Sequence, residues 1–367
     1  MRGGTKIVII SNYGLNSDGG GVKVYTRNLV KALHNRNINI ILLIREGTPT
    51  NIEEKLPNNK VLYLFAAIRK LNVMKPKFVL SQGGWFTAIP AMLYKILHPE
   101  TKVVYLYHTH YNPAITIKQK IIRSIERYLM SFVLSKFDCV LFVSRGLKKN
   151  VGEVGALNVL SHWGVLYGAP LVKLPTQDEV EEFKQKFNVQ KNDLYLLGHS
   201  LTVYLSKVRG AKLLIDSLAL LPSNVKLILT RKGRFVGELQ KYAELGGVKG
   251  RVIFTGDLKN PHVATLVADI YTHISYGEGL PLALLEVMRI GKSIIASKVT
   301  GIPEAIRHPL EGVLVENEIK KIASTVKHLI ENPKLRRKMS VISKGAVNKR
   351  FSWEKTAEKL LSFFSCK

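Results

Sequence analysis

The chain has 367 residues, 46% of them apolar and 22% charged. That length predicts about two domains at roughly 100–200 residues each, and that apolar share excludes a disordered chain. The two cysteines, Cys139 and Cys366, form no Cys-x-x-Cys or Cys/His zinc spacing, which excludes a disulfide or zinc scaffold and suits a reducing compartment. Lys and Arg number 55 against 27 Asp and Glu, a net charge of +28. Such a surplus draws nucleic acid, anionic lipid or phosphorylated small molecules, and equally makes a solubilising surface. The longest apolar run, Val61 to Ile68, is far short of the ~20 residues that span a bilayer, and Ile7–Ile10 is too short for a signal-peptide core. A cytoplasmic protein, soluble or peripheral on the inner face of the membrane, is the expectation.

Lys6–Ser11 is a short continuous apolar run, as in a strand buried on both faces of a parallel sheet. Asn12 to Gly21 is rich in Gly, Asn, Ser and Asp and reads as a loop. Val22, Tyr25, Leu29, Ala32 and Leu33 then recur at helical spacing, and Ile38–Ile44 is a second buried strand, which completes a βαβ unit. Phe78–Ser81, Lys102–Tyr107 and Cys139–Ser144 continue the series. The pattern breaks over Gly164 to Pro175 before Asp178–Glu182 restarts a helix. The domain boundary is placed there, giving residues 1–168 and 169–350. Strands follow at Leu194–Gly198, Val225–Leu229, Val252–Thr255, Ile270–Ile274, Ser293–Ser297 and Gly312–Val315, with Ala211, Leu214, Ile215, Leu218 and Leu221 marking one intervening helix. After Glu318 the chain is helical almost to its end, interrupted at Pro333 and Phe351. Two Rossmann-like α/β domains in tandem are predicted.

The densest cluster of chemistry runs from Tyr276 to Lys292. Pro281 stands as for the first turn of a helix. The free N–H groups of that helix, from about Leu282 and Ala283, and its positive dipole end make an anion site suited to a diphosphate. Glu278 lies just before the helix and Glu286 about one turn inside. Carboxylates do not bind phosphate, but they accept hydrogen bonds from sugar and ribose hydroxyls. Taken alone, the two acids read first as a dipole partner, Glu278, and a solvated side chain, Glu286. His108 and His110 follow a buried strand, at the edge where open α/β sheets bind ligands, and a histidine there can donate to a reacting hydroxyl. Gly19, Gly20 and Gly21 allow close backbone approach without spelling a dinucleotide fingerprint. Between Ile117 and Val133, the residues Ile117, Ile121, Ile122, Ile125, Tyr128, Leu129, Phe132 and Val133 form an apolar face, and Lys118, Lys120, Arg123 and Arg127 a basic one. This helix packs on a core or lies in an anionic membrane interface. Lys334, Arg336, Arg337 and Lys338 lack interleaved aromatics, so single-stranded nucleic acid is not favoured.

The ordered string Ala268-Asp269, Glu278-Gly279, Glu286, Gly291-Lys292 and Gly301-Ile-Pro-Glu304 resembles the C-terminal domain of GT-B glycosyltransferases, specifically retaining family four. Gly19–Gly21 resembles the N-terminal glycine loop of that family, and Val103–His108 the strand ending in its active-site histidine. Phe137–Ser144 resembles the strand before its domain crossover, and Arg350–Glu354 the start of its last helix. The resemblance implies two Rossmann-like domains facing across a cleft, with residues 351–367 returning as a helix to the N-terminal domain. It implies transfer of a sugar, with retention, from a UDP- or GDP-sugar to a hydroxyl of a glycan or lipid-linked acceptor. Glu278 would contact the donor sugar, Glu286 the ribose, and His108 the reacting centre. Lys207 and Arg209 would meet the leaving diphosphate, with His199 standing where the family carries an arginine. Gly20, Gly21, Gly256, Leu258, Gly279, Leu280, Leu282 and Ala283 would complete the donor site. No Asp-x-Asp occurs, so neither a metal nor a cofactor is expected, and no nucleic-acid partner is. A nucleotide-sugar epimerase of the same architecture and a basic nucleic-acid binder stand as alternatives.

Overall fold

The computed structural model describes residues 6–18, 20–108, 117–153 and 162–365. Gly19, His110 and Cys366 lie outside the described residues, as do the side chains of Ile117, Lys118, Lys120 and Arg123. The apolar runs form two all-parallel sheets, each in its own unit: residues 1–169 with 351–367, and residues 170–350.

Unit 1 alternates β1 (Lys6–Tyr13), α1 (Gly20–His34), β2 (Asn39–Glu46), β3 (Glu53–Lys55), α2 (Lys60–Met74), β4 (Phe78–Gln82), α3 (Trp85–Leu97), β5 (Lys102–Tyr107), α4 (Ile117–Leu134), β6 (Cys139–Phe142), α5 (Arg145–Glu153) and β7 (Trp163–Val165). The sheet order is β3-β2-β1-β4-β5-β6-β7. Strands buried on both faces need apolar residues at every position, and the cores of β1, β5 and β6 meet that need. The apolar run at Val61 becomes α2, because Tyr63, Ala67 and Leu71 recur at helical spacing toward the sheet and Asn59 caps the Val61 and Leu62 N–H groups. Right-handed crossovers put α1 on one face of the sheet and α2, α3 and α4 on the other, with α3 packed between its neighbours.

Unit 2 begins at α6 (Gln177–Lys186), started by a reciprocal Thr176/Glu179 capping box. It continues with β8 (Leu194–His199), α7 (Leu205–Leu218), β9 (Val225–Thr230), α8 (Val236–Leu245), β10 (Val252–Gly256), α9 (His262–Val267), β11 (Ile270–His273), α10 (Leu282–Ile290), β12 (Ser293–Ser297), α11 (Ile302–Ala305), β13 (Val313–Val315), α12 (Ile319–Glu331) and α13 (Pro333–Arg350). The order β10-β9-β8-β11-β12-β13 reverses direction between β8 and β11, which makes that edge the ligand-binding point of an open sheet. The last helix, α14 (Trp353–Ser365), belongs to unit 1. Trp353, Thr356, Ala357, Leu360 and Phe364 bury one face of it, Thr356 Oγ1 donates to the Tyr167 carbonyl at 2.7 Å, and Trp353 meets the edge of Tyr25.

One glycine governs how unit 2 closes. A Cβ on Gly210 of α7 would sit 1.8 Å from the Ile274 carbonyl oxygen, so the helix lies directly against the end of β11. Gly210→Ala must push the helix off the strand. A loss of about 1–3 kcal/mol is expected from such overpacking, read as a lower urea midpoint.

Candidate active site

Past His273 the chain turns through residues 274–281 before entering α10, and the turn is tied from three sides. Ser297 Oγ accepts the Ser275 N–H at 2.9 Å, and Asn317 Nδ2 donates to the Ser275 carbonyl at 3.0 Å. The Gly301 N–H donates to the Glu278 carbonyl at 3.4 Å. Gly279 and Leu280 are buried in this turn.

The Glu278 side chain is held by two partners on one oxygen. Lys207 Nζ and His273 Nε2 each stand 3.0 Å from Oε1. Burial opposes the charge on Glu278, but the Lys207 ammonium and the His273 hydrogen bond overcome it and hold the carboxyl at about 2. A carboxylate only accepts, so His273 presents Nε2–H, and its Nδ1 accepts from the Tyr271 hydroxyl at 2.8 Å. Burial, reinforced by Glu278 and Glu286, raises the Tyr271 phenol well above its usual range, so it keeps the proton it donates. His273 escapes sequence reasoning because it sits inside a strand. The signal is an imidazole at a fully buried strand position, five residues before an acid.

Lys207 and Arg209 lie in the opening turns of α7, which starts at Leu205. Arg209 is exposed, and its guanidinium lies over the Tyr276 ring, 3.9 Å from the centroid. His199 ends β8. Its Nδ1 and Nε2 are each 2.8 Å from a hydroxyl, of Thr230 and Thr265 respectively, and burial lowers the ring to about 3, helped by His262 and His273. A neutral ring with both nitrogens occupied cannot stand in for an arginine.

At the start of α10 no side chain caps the helix. The Leu284 and Leu285 N–H groups return to the Pro281 carbonyl, which leaves those of Leu282 and Ala283 without an intrahelical partner. Glu286, one turn inside, is half-buried. Burial raises its carboxyl to about 8 against the opposing hydrogen bond from the Leu171 backbone, so it holds a proton at neutral pH rather than standing as the carboxylate expected. Gly256 ends β10 at a register shift with φ +67°, and its carbonyl accepts the Arg231 N–H at 2.8 Å; Leu258 follows half-buried.

In unit 1, His108 follows β5. Its Nε2 lies 2.6 Å from Gln82 Oε1, while Gln82 Nε2 donates to Thr26 Oγ1 at 2.6 Å, which fixes the orientation of the amide. The imidazole therefore donates from Nε2 and leaves Nδ1 as an acceptor, the reverse of the donor role expected. Burial lowers the ring to about 3, so it is neutral, and Tyr25 meets its edge at 4.8 Å. Gly20, with φ +57°, opens α1, and beside it Gly21 is exposed with open space where a side chain would stand. Among the described residues no group of three or more His, Cys, Asp or Glu could hold a metal.

Two parallel-sheet units, one carrying paired acids around an uncapped helix start, have the build of GT-B transferases. Residues 179–345 match the family model described as glycosyl transferases group 1, and residues 19–158 that described as glycosyltransferase family 4. The chain belongs to this glycosyltransferase family. It is 27% identical to the uncharacterised glycosyltransferase MJ1069 of Methanocaldococcus jannaschii over 67% of this chain and 63% of that one. It is also 27% identical to the N-acetyl-alpha-D-glucosaminyl L-malate synthase of Bacillus anthracis, over 62% of this chain and 59% of the relative. The crystal structure of Anabaena Alr3699/HepE in complex with UDP and glucose shares the fold with a TM-score of 0.83 at 18% identity, covering 99% of this chain and 100% of that one.

The pull on Glu278 is also a statement about stability. Its folded value lies below the ordinary 4.5, so the stabilisation is present above pH 4.5 and is lost as pH falls toward about 2. Lys207→Met leaves a buried carboxylate with His273 alone. Urea titrations should show a loss of about 3 kcal/mol at neutral pH that shrinks as Glu278 becomes protonated in the acid range.

Proposed function

We propose that the protein transfers a sugar from a nucleoside-diphosphate sugar to an acceptor hydroxyl. The observation that carries this reading is the conjunction in unit 2 of an ionised, doubly held Glu278, the cations Lys207 and Arg209 on α7, and the uncapped start of α10 with Glu286 one turn inside. The α10 N–H groups and the two cations suit a diphosphate. One of the three Lys207 donors goes to Glu278, so the other two are free to turn to the leaving group. Glu278, kept charged and aimed by His273, accepts from hydroxyls of the donor sugar. As the diphosphate departs, these preset charges meet the charge that develops, which is electrostatic catalysis without reorganisation. No metal enters this scheme.

The unit 1 residues His108 and Gln82 are assigned to the acceptor, with the His108 Nδ1 accepting a hydrogen bond from the attacking hydroxyl. Attack on the face that the diphosphate leaves, with retention, follows the family resemblance. A glycan or lipid-linked acceptor is the proposed class. A uridine diphosphate donor is supported by the ligands of the Anabaena fold neighbour, which was solved with UDP and glucose.

Thermal-shift screening of UDP-, GDP- and ADP-sugars, followed by transfer assays, tests the reading. A stabilising shift with one base and turnover only with acceptor present are expected, and no shift with any nucleotide would overturn it. Glu286 supplies a sharper readout. Free, it holds its proton up to about pH 8; a ribose diol donating to it favours the carboxylate, so donor binding expels a proton. Calorimetric affinity for UDP should rise with pH, by up to about tenfold per unit, and level off above pH 8. Glu286→Gln should remove this slope.

A further inference from the structure

A structural arginine spends its N–H groups on neighbouring carbonyls, as Arg251 does toward Val225, Leu218, Leu221 and Pro222. Arg209 is the opposite case. It is exposed on α7, its guanidinium carbon lies 3.9 Å from the centroid of the Tyr276 ring, and among the described residues its N–H groups have no acceptor. A guanidinium laid on a ring is held through its face, while its five N–H donors lie in its plane and stay open at the edge. The fork is thus fixed in direction and left unfilled.

The ring beneath it is firmly seated. The Tyr276 N–H donates to the carbonyl of Ser206, three residues before Arg209, at 3.2 Å. A Cβ on Gly210 would stand 1.8 Å from the Ile274 carbonyl oxygen and 3.1 Å from the Ser275 nitrogen. Between these two contacts, Lys207 reaches Glu278 at 3.0 Å. Residues 206–210 of α7 and 274–278 of the turn are therefore clamped along their length, with Arg209 and Tyr276 the exposed pair on the seam. The same turn runs on to the uncapped start of α10.

We propose that Tyr276 is a positioning residue, which holds the Arg209 guanidinium by its face so that the fork meets the donor diphosphate bidentately. The inference rests on the donor reading above, in which Arg209 faces the leaving diphosphate, and adds a residue that acts only through Arg209. A long exposed side chain loses rotamer freedom when it grips an anion. Stacking removes much of that freedom beforehand, so more of the contact appears as affinity. A lysine at the same place supplies a point charge, but neither the planar face nor the fork.

The test is calorimetric affinity of the full chain for UDP and UMP, and for GDP and GMP, since each pair differs only in the terminal phosphate. For the base that binds, the diphosphate should bind the parent about tenfold or more tighter than the monophosphate. Tyr276→Leu should cut that ratio roughly two- to fivefold, while the monophosphate affinity and the urea midpoint stay at parent values. Tyr276→Phe keeps the ring and should restore the ratio. Arg209→Lys should lose it at least as far, and in that background Tyr276→Leu should have no further effect. The lysine variant changes one exposed side chain and keeps the proposal testable if Tyr276→Leu folds poorly. A ratio untouched by Tyr276→Leu, or kept in full by Arg209→Lys, would overturn the proposal and leave the donor reading standing. So would an equal loss for diphosphate and monophosphate, since the ring would then touch the nucleoside itself. No binding of any nucleotide would bring down the donor reading and this proposal together.

Discussion

Burying a carboxylate is unfavourable unless cations and N–H groups meet it, and unit 2 is organised around meeting one. Glu278 draws Lys207 from α7 and His273 from β11 onto a single oxygen. For the ammonium to reach, α7 must lie against the end of that strand, which is what Gly210 permits. For the imidazole to donate from the correct nitrogen, Tyr271 must fill the other. The packing of one helix and the tautomer of one ring thus follow from the charge on one side chain.

The same logic appears in milder form in unit 1. His108 is fixed through Gln82, which is itself fixed by Thr26 of α1, and Tyr25 of the same helix braces the imidazole. Tyr25 is in turn anchored to the Leu166 carbonyl and meets Trp353 of the last helix. Each unit therefore presents one aimed polar group on a rigid support, the arrangement that sites for electrostatic catalysis require. Glu286 differs in kind: among the described residues it gains no cation, and burial leaves it protonated where Glu278 is ionised. Two carboxyl groups eight residues apart are driven in opposite directions by what surrounds them.

Most of the fold is legible in the sequence because parallel strands buried on both faces are apolar throughout, so β1, β5, β8 and β12 stand out as runs. The three-residue strands β3 and β7 at the sheet edges leave no such run, and only their pairing with β2 and β6 reveals them. The start of α7 is hidden because Leu205-Ser-Lys-Val-Arg-Gly carries a glycine and polar residues that weaken a helical reading, and the contact with β11 decides the matter. At the candidate site, the order of the two acids around Pro281 was readable. The neutrality of His199, the donor and acceptor sides of His108 and the proton on Glu286 were not. Those depend on burial and on partners such as Gln82, Thr230 and Thr265, which lie 26, 31 and 66 positions away.

The return of α14 to unit 1 bears on how the protein is made. Unit 2 is a continuous stretch, whereas unit 1 lacks Trp353, Leu360 and Phe364 until the whole of unit 2 has left the ribosome. Domains usually mature in the order of their synthesis. Here the half begun first is completed last, and until then the apolar patch awaiting α14 stays open to solvent and to chaperones.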